Sequence, residues 1–124
     1  MKDLLNIADV LNIKSIQYDA YNATQWAINA TEEGLNLEPF SQALWSFNQC
    51  TKEFERAIKL DKITIDNNEI TRWCFANVAL KFDHNNNVKP VKGGDKQQKI
   101  DGVIAMLQAF GGYFKKPNTN ILIG

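Results

Sequence analysis

The sequence predicts an α/β fold with at least two parallel strands, because short strand patterns alternate with amphipathic helix patterns along the chain. Its 124 residues are enough for one domain with a hydrophobic core. With 44% hydrophobic and 23% charged residues, the composition is typical of globular proteins. No apolar run approaches the roughly 18 residues of a membrane-spanning helix. We therefore expect a soluble, intracellular protein without a membrane partner.

Strand and helix patterns alternate most clearly in the N-terminal part of the chain. An amphipathic helix is predicted over residues 3–12 and a short strand over residues 13–18. A second helix is predicted over residues 22–33, because apolar residues recur at helical spacing and Gly34 is a typical helix stop. Residues 35–38 alternate between apolar and polar before a proline, which predicts a second strand. A strand, a helix and a strand in this order fit a right-handed crossover.

The remaining patterns predict a long helix, a short edge strand, a further helix, an extended segment after a polar turn, and a final helix. In order, these are residues 41–60, 62–65, 70–78, 88–92 and 95–114. Asp95 can cap the final helix after two glycines, which places Asp101 in the second turn of that helix.

Two aspartates occupy positions that suit a ligand. Asp19 directly follows the first strand, and ligands of open α/β sheets bind at that edge. An aspartate in such a place also serves as a helix cap or turn residue. Asp101 and Gly102 are two poor helix formers side by side. Either Gly102 lets another backbone approach while Asp101 faces a ligand, or Asp101 is simply favoured by the helix dipole.

Carboxylates that meet at one point repel each other unless a cation lies between them. Oxygen ligands suit Mg²⁺ or Mn²⁺, and a pair of such ions supports phosphodiester cleavage. Asp19 and Asp101 are therefore candidate metal ligands and candidate catalytic residues.

Charge is distributed unevenly along a chain whose net charge is zero. Residues 1–80 contain 7 basic and 11 acidic side chains, whereas residues 81–124 contain 7 basic and 3 acidic ones. The lysine-rich second region is either a solvated face or a local surface for a polyanion, which zero net charge does not exclude.

Other chemically distinctive residues are predicted to be structural. His84 is expected to be an exposed loop residue, and Cys50 and Cys74 are expected to be buried packing residues. The three tryptophans are expected to lie in the core or at helix contacts: Trp26, Trp45 and Trp73.

Four segments carry short motifs in a fixed order. Residues 16–21 contain a strand that ends in an aspartate, and residues 66–78 contain W-x-x-x-N followed by valine. Residues 83–87 form a D-x-x-N-N turn, and residues 89–105 contain P-V-K and then K-I-D-G-V-I-A. Together they resemble the motifs of the nuclease domain of tailed-phage terminase large subunits, whose turn motif has glycine where Asn86 stands here.

The resemblance implies a partial ribonuclease-H-like fold, with a short, mainly parallel sheet flanked by helices. It also implies a metal-dependent endonuclease that uses two divalent metal ions to cut concatemeric double-stranded DNA for packaging. By position, Asp19 matches the second acidic ligand of the family and Asp101 the third. Lys92 and Lys99 match basic residues near that site, where they would contact phosphate.

The chain departs from the family pattern at its beginning. The first acidic ligand and the strand that carries it have no counterpart, and no Gly-x-x-x-x-Gly-Lys-Ser/Thr motif of an ATPase is present. We therefore expect residues 1–114 to be the C-terminal portion of the nuclease domain and residues 115–124 to be a tail. Such a chain would cut DNA weakly or not at all. Its incomplete sheet would expose a strand edge, which favours homo-oligomers.

The resemblance implies a phage or prophage protein in the cytoplasm of a bacterial host. In the full-length family protein, the ATPase domain, the small terminase subunit and the portal are its partners. Two alternatives stay open. One is a non-enzymatic prophage-remnant module that self-associates through its sheet edge. The other is another ribonuclease-H-like enzyme, such as a transposase or a resolvase.

Overall fold

The computed structural model describes residues 1–41, 43–94 and 97–115. The chain divides into two compact units, Met1–Ser41 and Gln42–Gly124, and each is described by itself. Of the predicted tail, only Lys115 lies within the described residues, as the last residue of a helix.

The first unit contains two helices and one pair of parallel strands. In chain order its elements are α1 (Lys2–Val10), β1 (Ile16–Tyr18), α2 (Thr24–Glu32) and β2 (Leu37–Pro39). In the β1–β2 pair, Ile16 lies opposite Leu37 and Tyr18 opposite Pro39. The backbone of Gly34 has a φ of 94° after α2, a conformation that glycine adopts without a steric penalty. The parallel pair and the helix between its strands confirm the predicted short parallel sheet.

The described residues of the second unit form three helices and one antiparallel hairpin. They are α3 (Leu44–Lys59), α4 (Glu69–Asn77), β3 (Val78–Phe82), β4 (Val88–Lys92) and α5 (Asp101–Lys115). The ring of Phe54 on α3 contacts Phe75 on α4 at 6.5 Å and Phe110 on α5 at 5.5 Å between centroids. Aromatic burial of this kind is a main source of stability in a small domain, so Phe54 joins the three helices.

The hairpin has a regular register. Val78 pairs with Lys92 and Phe82 with Val88. The backbone N–H of Gly93 donates to the Asn77 carbonyl at 2.8 Å, and that of Asp83 to the Asn87 carbonyl at 3.0 Å. Because hydrogen-bonded pairs alternate with non-hydrogen-bonded pairs, the backbones of residues 88, 90 and 92 point away from β3.

Two features of the hairpin follow from this alternation. Pro90 lies at an outward-facing position, so its missing N–H removes no bond of the ladder. The outward N–H of Val88 donates instead to Oδ1 of Asn48 on α3, at 2.9 Å. Asn86 in the turn has a φ of 63°, and asparagine tolerates this left-handed conformation in the glycine place of the motif.

Two sequence predictions about secondary structure are wrong. Residues 62–65 form no strand; Ile63 and Ile65 instead line a groove beside Phe54 and Phe110. The helix expected over residues 70–78 ends at Asn77, because the hairpin ladder begins there, and residues 78–82 form the unexpected strand β3. The second sheet is antiparallel.

The final helix also begins later than predicted. Residues 97–100 are not helical, and α5 begins at Asp101. The backbone N–H of Ile104 donates to the carbonyl of Ile100 at 3.0 Å, which makes Ile100 the residue before the first turn. The predicted cap, Asp95, lies outside the described residues.

The burial of the cysteines and the exposure of His84 agree with the sequence predictions, whereas the exposure of the tryptophans does not. Cys50 and Cys74 are buried and His84 is exposed, as expected. Of the two places expected for the three tryptophans, the core is wrong, because these residues are between 38% and 68% exposed: Trp26, Trp45 and Trp73. Smaller side chains fill the interior beside them, such as Ala27 on α2 and Cys74 on α4. Within the described residues, no helix has the length and apolar character needed to cross a membrane.

Candidate functional site

Asp19 is held by its own neighbours at the end of β1. Its Oδ1 accepts a hydrogen bond from the backbone N–H of Tyr21, and its Oδ2 accepts one from the Asn22 side chain, both at 3.0 Å. Its carbonyl accepts from the N–H groups of Asn22 and Ala23. The half-buried carboxylate is therefore oriented by a turn before α2. Each carboxylate oxygen accepts one of these hydrogen bonds and keeps lone-pair capacity for another partner.

Asp101 is the exposed first residue of α5 rather than a member of its second turn. A carboxylate in the first turn of a helix is favoured by the helix dipole. The following residue, Gly102, lies against α4: a Cβ placed there would be 3.4 Å from Sγ of Cys74. The close neighbour at Gly102 is thus a side chain, whereas the sequence suggested a backbone segment.

Lys92 and Lys99 are both exposed and flank the same short stretch of chain. Lys92 ends β4 opposite Val78, the residue that follows α4. Lys99 immediately precedes the Ile100–Asp101 start of α5. Within the second unit, the structure therefore brings the backbones of both lysines to the C-terminal end of α4.

Asn77 connects these segments, although its place in the sequence motif indicated no role for it. It is the last residue of α4 and is only 6% exposed. Its side-chain Nδ2 donates to the carbonyl of Lys99 at 3.0 Å, and its own carbonyl accepts from the N–H of Gly93 at 2.8 Å. One residue thus ties the end of β4 and the start of α5 to α4. A signal for it was present, because an amide stands at an apolar position of a helical stripe.

A carboxylate in the hairpin turn has a lowered pKa. Asp83 accepts from the side chain of Asn87 at 3.0 Å and from the backbone N–H groups of Asn87 and Asn85 at 2.9 and 2.8 Å. These hydrogen bonds, the one from the Asn87 side chain first, lower the pKa of Asp83 below the ordinary value of an aspartate. Asp83 is therefore a turn-forming residue that stays ionised near neutral pH.

The donor chemistry of Asp19 and Asp101 fits Mg²⁺ or Mn²⁺, which prefer carboxylate oxygen and retain several water ligands. Asp19 lies in the first unit, and Asp101 lies in the second with Lys92 and Lys99. Among the residues that the structure describes, no three acidic, histidine or cysteine side chains form a metal-binding group. These two carboxylates would therefore supply at most part of a ligand set.

Comparisons with known proteins agree with the motifs. The family model described as the terminase large subunit, endonuclease domain, matches residues 2–116. The crystal structure of the HK97 bacteriophage large terminase has a similar fold, with a TM-score of 0.75 and 21% sequence identity. The match covers 90% of this chain and 23% of the HK97 chain, so this chain spans about a quarter of that protein's length.

No curated protein matches the sequence. The helices and the short parallel sheet form a partial ribonuclease-H-like terminase nuclease fold. Because the family model covers nearly the whole sequence, the chain belongs to the family of terminase large subunit endonuclease domains.

Proposed function

We propose that this chain forms the C-terminal portion of a metal-dependent endonuclease that cuts concatemeric double-stranded DNA during packaging of a phage genome. The observation that carries the proposal is the family match over residues 2–116. It favours a terminase over the transposases and resolvases that the sequence left open. The ATPase domain, the small terminase subunit and the portal would be its partners, in the cytoplasm of a bacterial host.

Four side chains carry the proposed chemistry. Asp19 and Asp101 bind Mg²⁺ or Mn²⁺ through carboxylate oxygens. Lys92 and Lys99 contact phosphate oxygens of the bound DNA, which fixes its position along the protein. When bound, the cation would stabilise the charge that develops on the phosphate and would lower the pKa of an attacking water. Before DNA binds, the turn at Asp19 orients the carboxylate of that residue, and the Asn77 side chain holds the backbone of Lys99 just before Asp101.

A Mn²⁺ titration of the uniformly ¹⁵N-labelled chain tests this proposal without requiring cleavage. We expect paramagnetic broadening of backbone amides around Asp19 and Asp101. Asp19→Asn and Asp101→Asn should each weaken it, because an amide is a poorer ligand for a hard cation than a carboxylate. The matched controls are Asp9→Asn in the first unit and Asp66→Asn in the second, both at exposed positions.

Two outcomes would contradict the metal site. One is an unchanged spectrum up to millimolar Mn²⁺. The other is broadening that the control substitutions reduce as much as those at Asp19 and Asp101 do. Either result would leave the family membership intact and would remove this pair of carboxylates from the proposed chemistry.

A specific observation also favours the second candidate, a self-associating module without catalysis. Among the described residues, no strand pairs with the outer edge of β3. Leu80 and Phe82 on that strand are 44% and 57% exposed. Open edges with apolar side chains promote strand pairing between chains. Light scattering after gel filtration checks this candidate: a concentration-dependent dimer that Leu80→Lys abolishes supports it, and a monomer at all concentrations rejects it.

A further inference from the structure

An apolar groove lies along one side of the second unit, and we call it the α3–α5 groove. It consists of two adjoining hollows of about 540 and 380 Å³, which share Ile63 and Phe110 in their walls. Its apolar lining comes from α3, from the segment after α3 and from α5, and includes Leu60, Ile63, Ile65, Met106, Phe110 and Tyr113. Leu60 and Tyr113 are 51% and 68% exposed. Apolar surface that is exposed in a concave place is typical of a docking site.

One wall of this groove has unused capacity for backbone hydrogen bonds. Ile63 and Ile65 are half-buried, whereas Thr64 between them is exposed. Within the part of the chain that the structure describes, no backbone group forms a hydrogen bond with the backbone of residues 63–65. Backbone N–H and C=O groups gain from pairing when they are covered. The wall therefore suits an extended apolar segment, which supplies main-chain partners and places alternate side chains in the groove.

The sequence contains a segment of this kind shortly after α5. Residues 116–124 lie outside the described residues, and they include the apolar run Ile121-Leu122-Ile123 after a polar stretch. The run has no charged side chain, and its two isoleucines belong to a residue type that is enriched in strands. The proposed endonuclease function gives this run no role.

The run is within reach of the whole groove. The groove extends along α5 from Met106 to Tyr113, and α5 ends at Lys115. Met106 lies nine residues before Lys115, which corresponds to about 14 Å along a helix. The six backbone steps from Lys115 to Ile121 span up to about 20 Å. The chain after α5 is therefore long enough to fold back and to place the run against any part of the groove.

We propose that residues 121–123 bind in the α3–α5 groove of the same chain, as an extended segment beside residues 63–65. Burial of their aliphatic side chains against Ile63 and Phe110 drives the contact. Tethering favours this occupant over a second copy of the chain. A segment that is joined by a short linker has an effective concentration in the millimolar range, so a second copy at micromolar concentration does not compete with it.

NMR spectroscopy of the ¹³C,¹⁵N-labelled chain of 124 residues tests this inference. Methyl NOEs should connect residues 121–123 with Ile63 and Met106, and the amide order parameters of the run should be about 0.85, as in a rigid backbone. Leu122→Asp should remove these NOEs and lower the order parameters below about 0.6, because an unpaired charge is costly to bury. The matched control, Thr119→Asp, adds the same charge to the same segment outside the run and should leave both measurements unchanged.

Three results would overturn the inference. The first is a parent chain without NOEs between the run and the groove and with order parameters below about 0.6. The second is a set of NOEs that appears only between chains in a mixture of labelled and unlabelled protein, because a second copy would then occupy the groove. The third is an equal loss of NOEs in Thr119→Asp and Leu122→Asp. The measurements on the parent chain require no substitution, so they stay decisive even if a variant fails to fold.

Discussion

In the first unit Asp19 is fixed by residues two to four positions further along the chain, whereas in the second unit the segment before Asp101 is fixed by a residue 22 positions away. The turn around Asp19 closes through Tyr21, Asn22 and Ala23. The carbonyl of Lys99 is held by the side chain of Asn77. A local turn forms with little loss of chain entropy, but a distant contact requires the unit around it to fold first. The geometry at Asp101 therefore depends on the stability of its whole unit.

Charge differs between the units as well. The first unit contains two basic and six acidic residues, so it carries a net charge of −4 within a chain of net charge zero. The second unit carries the compensating excess of basic residues, three of them on the hairpin strands. A polyanion would therefore be attracted to one unit and repelled by the other.

The largest expected effect comes from Asn77→Ala. It removes the donor to the Lys99 carbonyl from a buried position, so the free energy of unfolding should fall by about 1–3 kcal/mol. Urea denaturation measures this loss, and amide chemical shifts should change at Lys99, Asp101 and Gly102. The matched control is Asn48→Ala, which removes a side-chain bond to Val88 instead. Equal shift changes at Lys99 in both variants would refute the long-range positioning of Asp101.

A smaller effect is expected from Asn22→Ala. It removes one exposed donor to the Asp19 carboxylate, so we expect a loss of about 0.5–1 kcal/mol at most. The remaining turn should confine the chemical-shift changes to residues 19–23. Asn29→Ala, which removes an exposed side-chain bond from Gln25 within α2, serves as its control. Shift changes spread through the first unit would show that Asp19 is not held locally.

The smallest effect concerns Asp83, a locally held carboxylate in the second unit. Because hydrogen bonds lower the pKa of Asp83 in the folded protein, its stabilising contribution is present above the unfolded pKa, near 3.8. The contribution is lost as the pH falls through the lower, folded pKa. Urea midpoints measured between about pH 5 and pH 2 should decline less steeply in Asp83→Asn than in the parent. Parallel pH profiles would show that the turn bonds do not stabilise the ionised form.

Local patterns were enough to predict the first unit. Apolar spacing and the stop at Gly34 predicted both helices and both strands, and the turn at Asp19 involves sequence neighbours alone. The αL backbone at Asn86 also agrees with the turn motif read from the sequence. These features depend on residues only a few positions apart, so a short-range sequence pattern is enough to predict them.

The second unit was harder to predict because its boundaries depend on distant partners. Val78 continued a helical stripe in the sequence, yet pairing with Lys92 makes it the first residue of β3. Ile63 and Ile65 alternated like a strand, but no strand of the described residues pairs with them. The late start of α5 reflects the hydrogen bond from Asn77 to the Lys99 carbonyl. The residues around Lys99 do not predict this bond, because its donor lies 22 positions earlier in the chain. The metal ligands and phosphate contacts stay predictions.

Pro90 and Asn48 make the two sides of the hairpin unequal. On β4 the proline offers no donor, and the N–H of Val88 is already taken by a side-chain amide. Another extended segment can therefore join along β3 and not along β4. If two copies of the chain paired through β3, their hairpins would form a closed pair, because neither hairpin keeps a second open edge from which a fibre could grow.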